Sequence, residues 1–464
     1  MAVLLAAAAC NGSDHAEDGN GRPPPDGGAP GDAGDAGGNA NQPGTVTVAV
    51  MGPGRITSTP AGIDCGSGGT ACAARFTGGT VVLKTDDATT VRWGNACSGN
   101  GDCSVPLGAD RSVTAQTFIP LHRTFDGPDH GSDACNAIAA GPGDSLVVAG
   151  SVQRFSQGDD AWAAAYDATG HLLWSYELST PSEGHDRANG VVPLPDGGAL
   201  VAGTWFSGSN THYNGFVLDV TTTGAVAWSN LNELAGDDEY DAIGRDASGR
   251  LVLAGARPDG TGTTQAWVRA LTPDSRSELW AAGRNGTAPG PDRASGVAID
   301  ASGDIVACGS QTNAKTGSDG WIAKYSPQGV VRWSSTLASS GNDWVSGIAI
   351  TPDHSVAVVG GFDGASSIRV LDAAGMPRWD ITTADAPRWA GVAVDAAGDI
   401  VVTGDTDTDL VVRKYTLAGG LIWQRTIPDA RGNAVAVDSH SNILVCGAVT
   451  VAGNTDGLIL GFLQ

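Results

Sequence analysis

The line "DASGDIVACGS" (300–310) returns as "DAAGDIVVTGD" (395–405), and looser relatives of it recur through most of the chain. Glycines that close one apolar run stand at Gly150, Gly203, Gly255, Gly309, Gly360, Gly404 and Gly447. Tryptophans that close another stand at Trp174, Trp228, Trp280, Trp333, Trp379 and Trp423, spaced 44 to 54 residues apart. The unit that begins at Asp292 reads as four short strands, "GVAID", "DIVACGS", "GWIAKY" and "VVRWSS". They are joined by "ASG", a variable loop and "SPQG", which are turn chemistry. A sheet this small cannot cover its own two faces, so the units must stack on one another.

Four strands per unit at this period is the signature of a β-propeller blade, and seven glycines in step give seven blades. One tryptophan per blade is packing between blades; each ring buries enough area for about 4–6 kcal/mol as an upper bound. The last unit supplies "NAVAVD", "NILVCGA" and "GLILGF" and then stops without a fourth strand. The missing strand is expected at 120–125, where "PLHRTF" matches "IWQRTI" (422–427) with Leu121 in the tryptophan's place. An amino-terminal strand that completes the last blade closes the ring and leaves no open sheet edge at the seam.

Ahead of the repeats the texture changes twice. Residues 1–9 form a short apolar run before Cys10, too short to span a bilayer and preceded by no Lys or Arg. We read 1–9 as a truncated lipoprotein-like signal peptide, Cys10 as the lipidation site, and 10–44 as a disordered tether rich in Gly, Pro and Asp. Residues 45–118 read as a small β-module with short alternating runs and two close cysteine pairs, Cys65/Cys72 and Cys97/Cys103. Four cysteines allow three connectivities; pairing each with its near neighbour asks least of the backbone. Zinc is the competing reading, but the spacings are six and five residues and no His flanks them. Residues 119–464 are then the seven-bladed propeller. Cys135 reads as a lone thiol, and Cys308 and Cys446 as small apolar fillers before a blade glycine.

Fifty acidic against 26 basic side chains give a net charge of −24. That field repels phosphate backbones, so no nucleic-acid partner is expected. Asp133, Asp186, Asp238, Asp292 and Asp343 each precede the first strand of a blade, whereas Pro387 and Ala430 hold that place in the last two. Two readings stand for these aspartates. They are turn formers bonded to backbone, or a ring of carboxylates at the channel mouth that holds a divalent cation. The longer connections fall on one face, and the second blade's is richest in recognition groups: Trp205, Phe206, His212 and Tyr213. These either form an aromatic ligand surface or pack on neighbouring loops. No catalytic residue, metal site or cofactor is expected, since no nucleophile elbow, phosphate loop or calcium loop is present.

Two resemblances add to this reading. The segment with "GIDC", "WGNAC" and "SVTAQTF" resembles the bacterial cell-surface repeat related to the internalin B-type repeat, a spacer or adhesion unit on exported proteins. The pattern "GNDWVSGIAITPDHSVAVVGG" with "DGWIAKYSPQG" resembles the SBBP-type β-propeller repeats of exported bacterial proteins. "AYDATGHLLW" is similar to the tryptophan-docking motif of quinone-dependent propeller enzymes, but the adjacent cysteine pair of those enzymes is missing. Together they imply an outer-membrane lipoprotein or secreted protein, monomeric, attached to membrane only by its lipid. It would bind protein or carbohydrate at the envelope without catalysis. The alternative is an enzyme, a quinone-dependent dehydrogenase or a glycan hydrolase.

Overall fold

The computed structural model describes residues 42–462, apart from 52–53, 67, 86–89, 119–120, 156–157, 180–183, 208–211, 232–235, 274–276, 364, 383–386 and 452. The expected signal peptide, Cys10 and nearly all of the tether lie outside the described residues. Residues 44–118 form a four-stranded and a five-stranded sheet around Val46, Ile56, Leu83, Trp93 and Val105. Its first strand, Gly44–Met51, runs parallel to its last, Arg111–Phe118.

The remaining strands make seven four-stranded antiparallel sheets, here called blades 1 to 7. Blade 1 comprises Ala134–Ala140, Leu146–Arg154, Gly158–Tyr166 and Leu172–Leu178. The first strands of blades 2 to 6 are Arg187–Pro193, Glu239–Arg245, Arg293–Ile299, Trp344–Ile350 and Arg388–Val394. Blade 7 takes Ala430–Val437, Ile443–Val451 and Asn454–Phe462, and its outer strand is Leu121–Phe125, antiparallel to Asn454–Phe462. The expected ring closure is therefore present. First strands touch first strands from blade to blade and return to the start, so they line the axis.

Burial follows from this stacking. The second strand of each blade is covered on both faces and reads as a near-continuous apolar run, such as Val356–Phe362, buried at every position. Outer strands alternate because one face meets solvent. Trp174, Trp280, Trp333 and Trp379 each dock on a turn of the next blade, whereas Trp423 meets Phe462 of blade 7 edge to face. The indoles of Trp280, Trp333 and Trp379 donate to the carbonyls of Pro327, Ala373 and Leu417 at 3.0, 3.1 and 2.9 Å. The ring lies over a glycine of that turn: a Cβ on Gly329 would sit 2.6 Å from Trp280, and one on Gly375 2.7 Å from Trp333. Both glycines have positive φ, 81° and 83°, so the turn needs glycine twice over. At the seam Leu121 lies over Gly170 in the same way.

Cys65–Cys72 and Cys97–Cys103 are disulfides, with Cα–Cα distances of 4.6 and 5.8 Å. The reading of Cys135 as a lone thiol and Cys446 as a filler is corrected. They form a third disulfide, Cα–Cα 5.4 Å, across 311 residues of sequence. Cys135 lies on the first strand of blade 1 and Cys446 on the second strand of blade 7, so ring closure alone brings them together. Cys308 occupies the equivalent slot in blade 4 but packs with Val345 of blade 5, and it remains a buried free thiol. Three disulfides suit an oxidising compartment.

Candidate functional site

The five aspartates before the first strands are all buried, with at most 2% of their surface exposed. Asp133 accepts amides of Gly127 and Gln153 at 2.5 and 2.8 Å; Asp186 accepts that of Phe206 at 2.7 Å. Asp292 accepts amides of Gly286 and Thr312, and Asp343 that of Asp363. Their own amides donate to the preceding blade's third strand, as Asp133 does to Thr455 and Asp343 to Ser318. Each aspartate is thus a clasp between two blades, usually gripping the amide twenty residues on. Blade 3 departs from the rule because that residue is Pro258, which has no N–H; Asp238 bonds the Gly215 amide instead. Burial pushes the Asp133 carboxyl above its ordinary range against the pull of its two amides.

What rings the mouth is the next residue along: Ala134, Arg187, Glu239, Arg293, Trp344, Arg388 and Arg431. Four arginines in one slot stand out in so acidic a chain. Two residues further, a β-bulge in every first strand places Asn136, Asn189, Asp241, Ser295, Ser346, Ala390 and Asn433. A bulge re-aims a side chain. Here the polar ones stitch blade to blade. Asn136 donates to the Ala188 carbonyl, Asn189 to Tyr240, Ser346 to Trp389, and Asn433 across the seam to Cys135. One amide N–H of each asparagine is engaged, and among the described residues none of their Oδ1 atoms has a hydrogen-bond partner.

On this face a cavity of about 840 Å³ spans blades 6, 7, 1 and 2. It is lined by Arg187, Arg431, His185, the three bulge asparagines and Asp159, Asp407 and Asp429, with no phenyl, phenol or indole ring. Asp159 holds both His185 Nδ1, at 3.0 Å, and the Arg187 guanidinium, at 3.1 Å. This carboxylate fixes the imidazole with Nε2 turned from the pair, an arrangement able to orient a ligand or move a proton. The cavity is polar, mixed in charge and shaped for hydrogen bonds rather than ring stacking.

Opposite, at the blade 3–4 seam, Arg293 bridges Glu239 at 2.6 Å and Asp241 at 2.5 Å. Burial, reinforced by the Asp241 charge and opposed by Arg293, pushes Glu239 up to about 7. Burial raises Asp241 as well, again against Arg293. Two carboxyls share one guanidinium, so one of them tends to keep its proton.

The four residues singled out in blade 2 lie apart from the cavity. Trp205 and Phe206 end strand Ala199–Ser207, and His212 and Tyr213 begin its partner His212–Val220. All four are half-buried. Phe206 and Tyr213 meet edge to face at 5.3 Å, Trp205 packs against the core, and His212 faces Asp237 at 3.4 Å. Sequence reasoning missed His185, Arg187 and Arg431. The signal was present as a basic residue after the clasp position, but only the ring shows that these slots converge. Among the described residues one trio could hold a metal ion, Asp144, Asp438 and His440, on the tight-turn face.

No family model and no curated protein matches the chain. Among solved structures it is similar to the WD40 repeats of RRP9, with 11% identity over 74% of this chain and 97% of that one, TM-score 0.52. It is also similar to a catalytically inactive virginiamycin B lyase from Staphylococcus aureus with quinupristin (10%, 74% and 99%, TM-score 0.49). The Dos1 propeller is a third such structure (11%, 72% and 93%, TM-score 0.47). At this identity the first of these likenesses shows the fold and nothing of activity: the chain carries a β-propeller.

Proposed function

We propose that this is an exported bacterial envelope protein that binds a protein or glycan on the long-loop face of its propeller, without catalysis. The observation that carries this reading is the cavity of about 840 Å³ at the channel mouth, built from side chains of four consecutive blades. Function collects where loops and strand ends converge on a rigid scaffold. The export resemblances of both segments and the three disulfides support the location. The full chain, used as bait against envelope extracts and a glycan array, should capture a ligand. Thr408→Trp, which fills the cavity from an exposed position, should abolish capture without changing the melting temperature. Capture that survives this substitution, or none at all, refutes the reading.

One observation favours a second reading, an enzyme such as a glycan hydrolase. The Asp159–His185 pair faces the same cavity. Chemical conversion of the captured ligand, lost in His185→Asn, would establish that reading in place of the first.

A further inference from the structure

We infer that Arg431 is the anchor of an anion subsite, taking a single carboxylate of the ligand; this rests on the cavity's being the binding site. The repeat provides the comparison. Each of the other mouth arginines has a carboxylate supplied by the fold: Asp159 for Arg187, Glu239 and Asp241 for Arg293, and Asp405 for Arg388. Around Arg431 every one of those supplying positions is without negative charge. Arg388 stands opposite Asp405 in its strand pair, whereas Arg431 stands opposite Ala448. The preceding blade's bulge, Asp241 for Arg293, is Ala390 here. The preceding third strand's position, Asp159 for Arg187, is Thr408, three residues before the residue paired with the blade glycine. The position of Glu239 is taken by Arg388. Among the described residues no ion pair or hydrogen bond reaches the Arg431 guanidinium, which is exposed and lines the cavity.

A guanidinium without internal counter-charge at the wall of a concave polar site is poised for a planar, bidentate anion. The charge of the surroundings narrows the class. Asp407 and Asp429 also line the cavity and are exposed at its rim, where they disfavour a doubly charged phosphate. With the asparagine Oδ1 atoms they accept hydrogen bonds, so the carboxylate should sit beside hydroxyl or amide donors. An acidic sugar and a peptide carboxyl terminus share that chemistry.

The test is calorimetric titration of the full chain at low salt with four probes. They are a glucuronate-bearing disaccharide, its neutral glucose counterpart, acetylated dialanine and its amide. One carboxylate probe should bind while its neutral counterpart does not, and which one binds names the source. Arg431→Gln should weaken binding about tenfold to a hundredfold, the worth of a charge-assisted pair. Ala448→Asp, which recreates the Arg388–Asp405 arrangement while keeping Arg431, should weaken it as much. Absence of binding by both carboxylates at millimolar concentration, equal binding of neutral probes, or unchanged binding in Arg431→Gln would overturn the inference. If Ala448→Asp melts early, Arg431→Gln alone decides. Capture of an envelope partner that persists in Arg431→Gln but is lost in Thr408→Trp overturns the subsite and leaves the scaffold reading standing.

Discussion

Glu239 carries a pH signature. Its ordinary value is 4.5, and burial with the Asp241 charge raises it to about 7 in the folded chain. The folded state therefore holds a proton that the unfolded state has released, so this residue's contribution is fully present below pH 4.5 and is lost as pH rises through 7. The span corresponds to about 3 kcal/mol at most, shared with Asp241. Urea denaturation from pH 4.5 to 8 should show a fall in stability that Glu239→Gln flattens; an unchanged slope in the variant would exclude the residue as its source. The clasp aspartates matter through the amides they hold. Asp292→Ala leaves two half-buried amides, those of Gly286 and Thr312, without their acceptor. Its expected cost is about 2–4 kcal/mol, read from the same denaturation curves.

At the level of the element, the blade is a module because its last strand is finished by its neighbour. Trp333 fills the space above Gly375 and donates to the Ala373 carbonyl, so neither the indole nor the glycine belongs to one blade alone. Trp333→Ala should cost about 2–3 kcal/mol, less than a fully buried ring because one side of the indole meets solvent. Gly375→Ala should be destabilising for a separate reason, a Cβ both at positive φ and against the ring. The double variant should cost less than the sum, because removing the indole relieves the clash; additive costs in calorimetry would refute the coupling. This element was legible from the sequence as a spacing of tryptophans and a Gly-bearing turn. The direction of docking, from each blade to the next, was not, since spacing carries no handedness.

For the whole molecule, closure is the event that matters. The seam between blades 7 and 1 is held by the strand Leu121–Phe125, by Asn433 bonding the Cys135 carbonyl, and by the Cys135–Cys446 disulfide. In the chain-entropy model a crosslink over a loop of this length contributes about 6 kcal/mol as an upper estimate. Cys135→Ala with Cys446→Ala should lower the melting temperature while the ring stays closed through the strand. Deleting 119–128 should do more, because it opens a sheet edge as well. Calorimetry in which the deletion melts with the intact protein would refute the closing role. The cavity straddles this same seam, so both changes should also weaken ligand capture.

The sequence alone determined the repeat, its seven units, the closing strand and the near-neighbour disulfides, because these depend on local periodicity and on short loops. Turn residues, apolar alternation and one ring per unit are each written within a few tens of residues. Only the tertiary structure decided what lies far apart in the chain and close in space. Cys135 and Cys446 read as thiols until closure brought them together. The aspartates left two readings open, backbone-bonded turn formers or a carboxylate ring, and the structure places their carboxylates on backbone amides. The four arginines in the slot after the clasp position carried no distinguishing mark until the ring showed three of them with carboxylates and, among the described residues, Arg431 with none. A circular stack turns equivalent positions in sequence into neighbours around one axis, and the site is made of those neighbours.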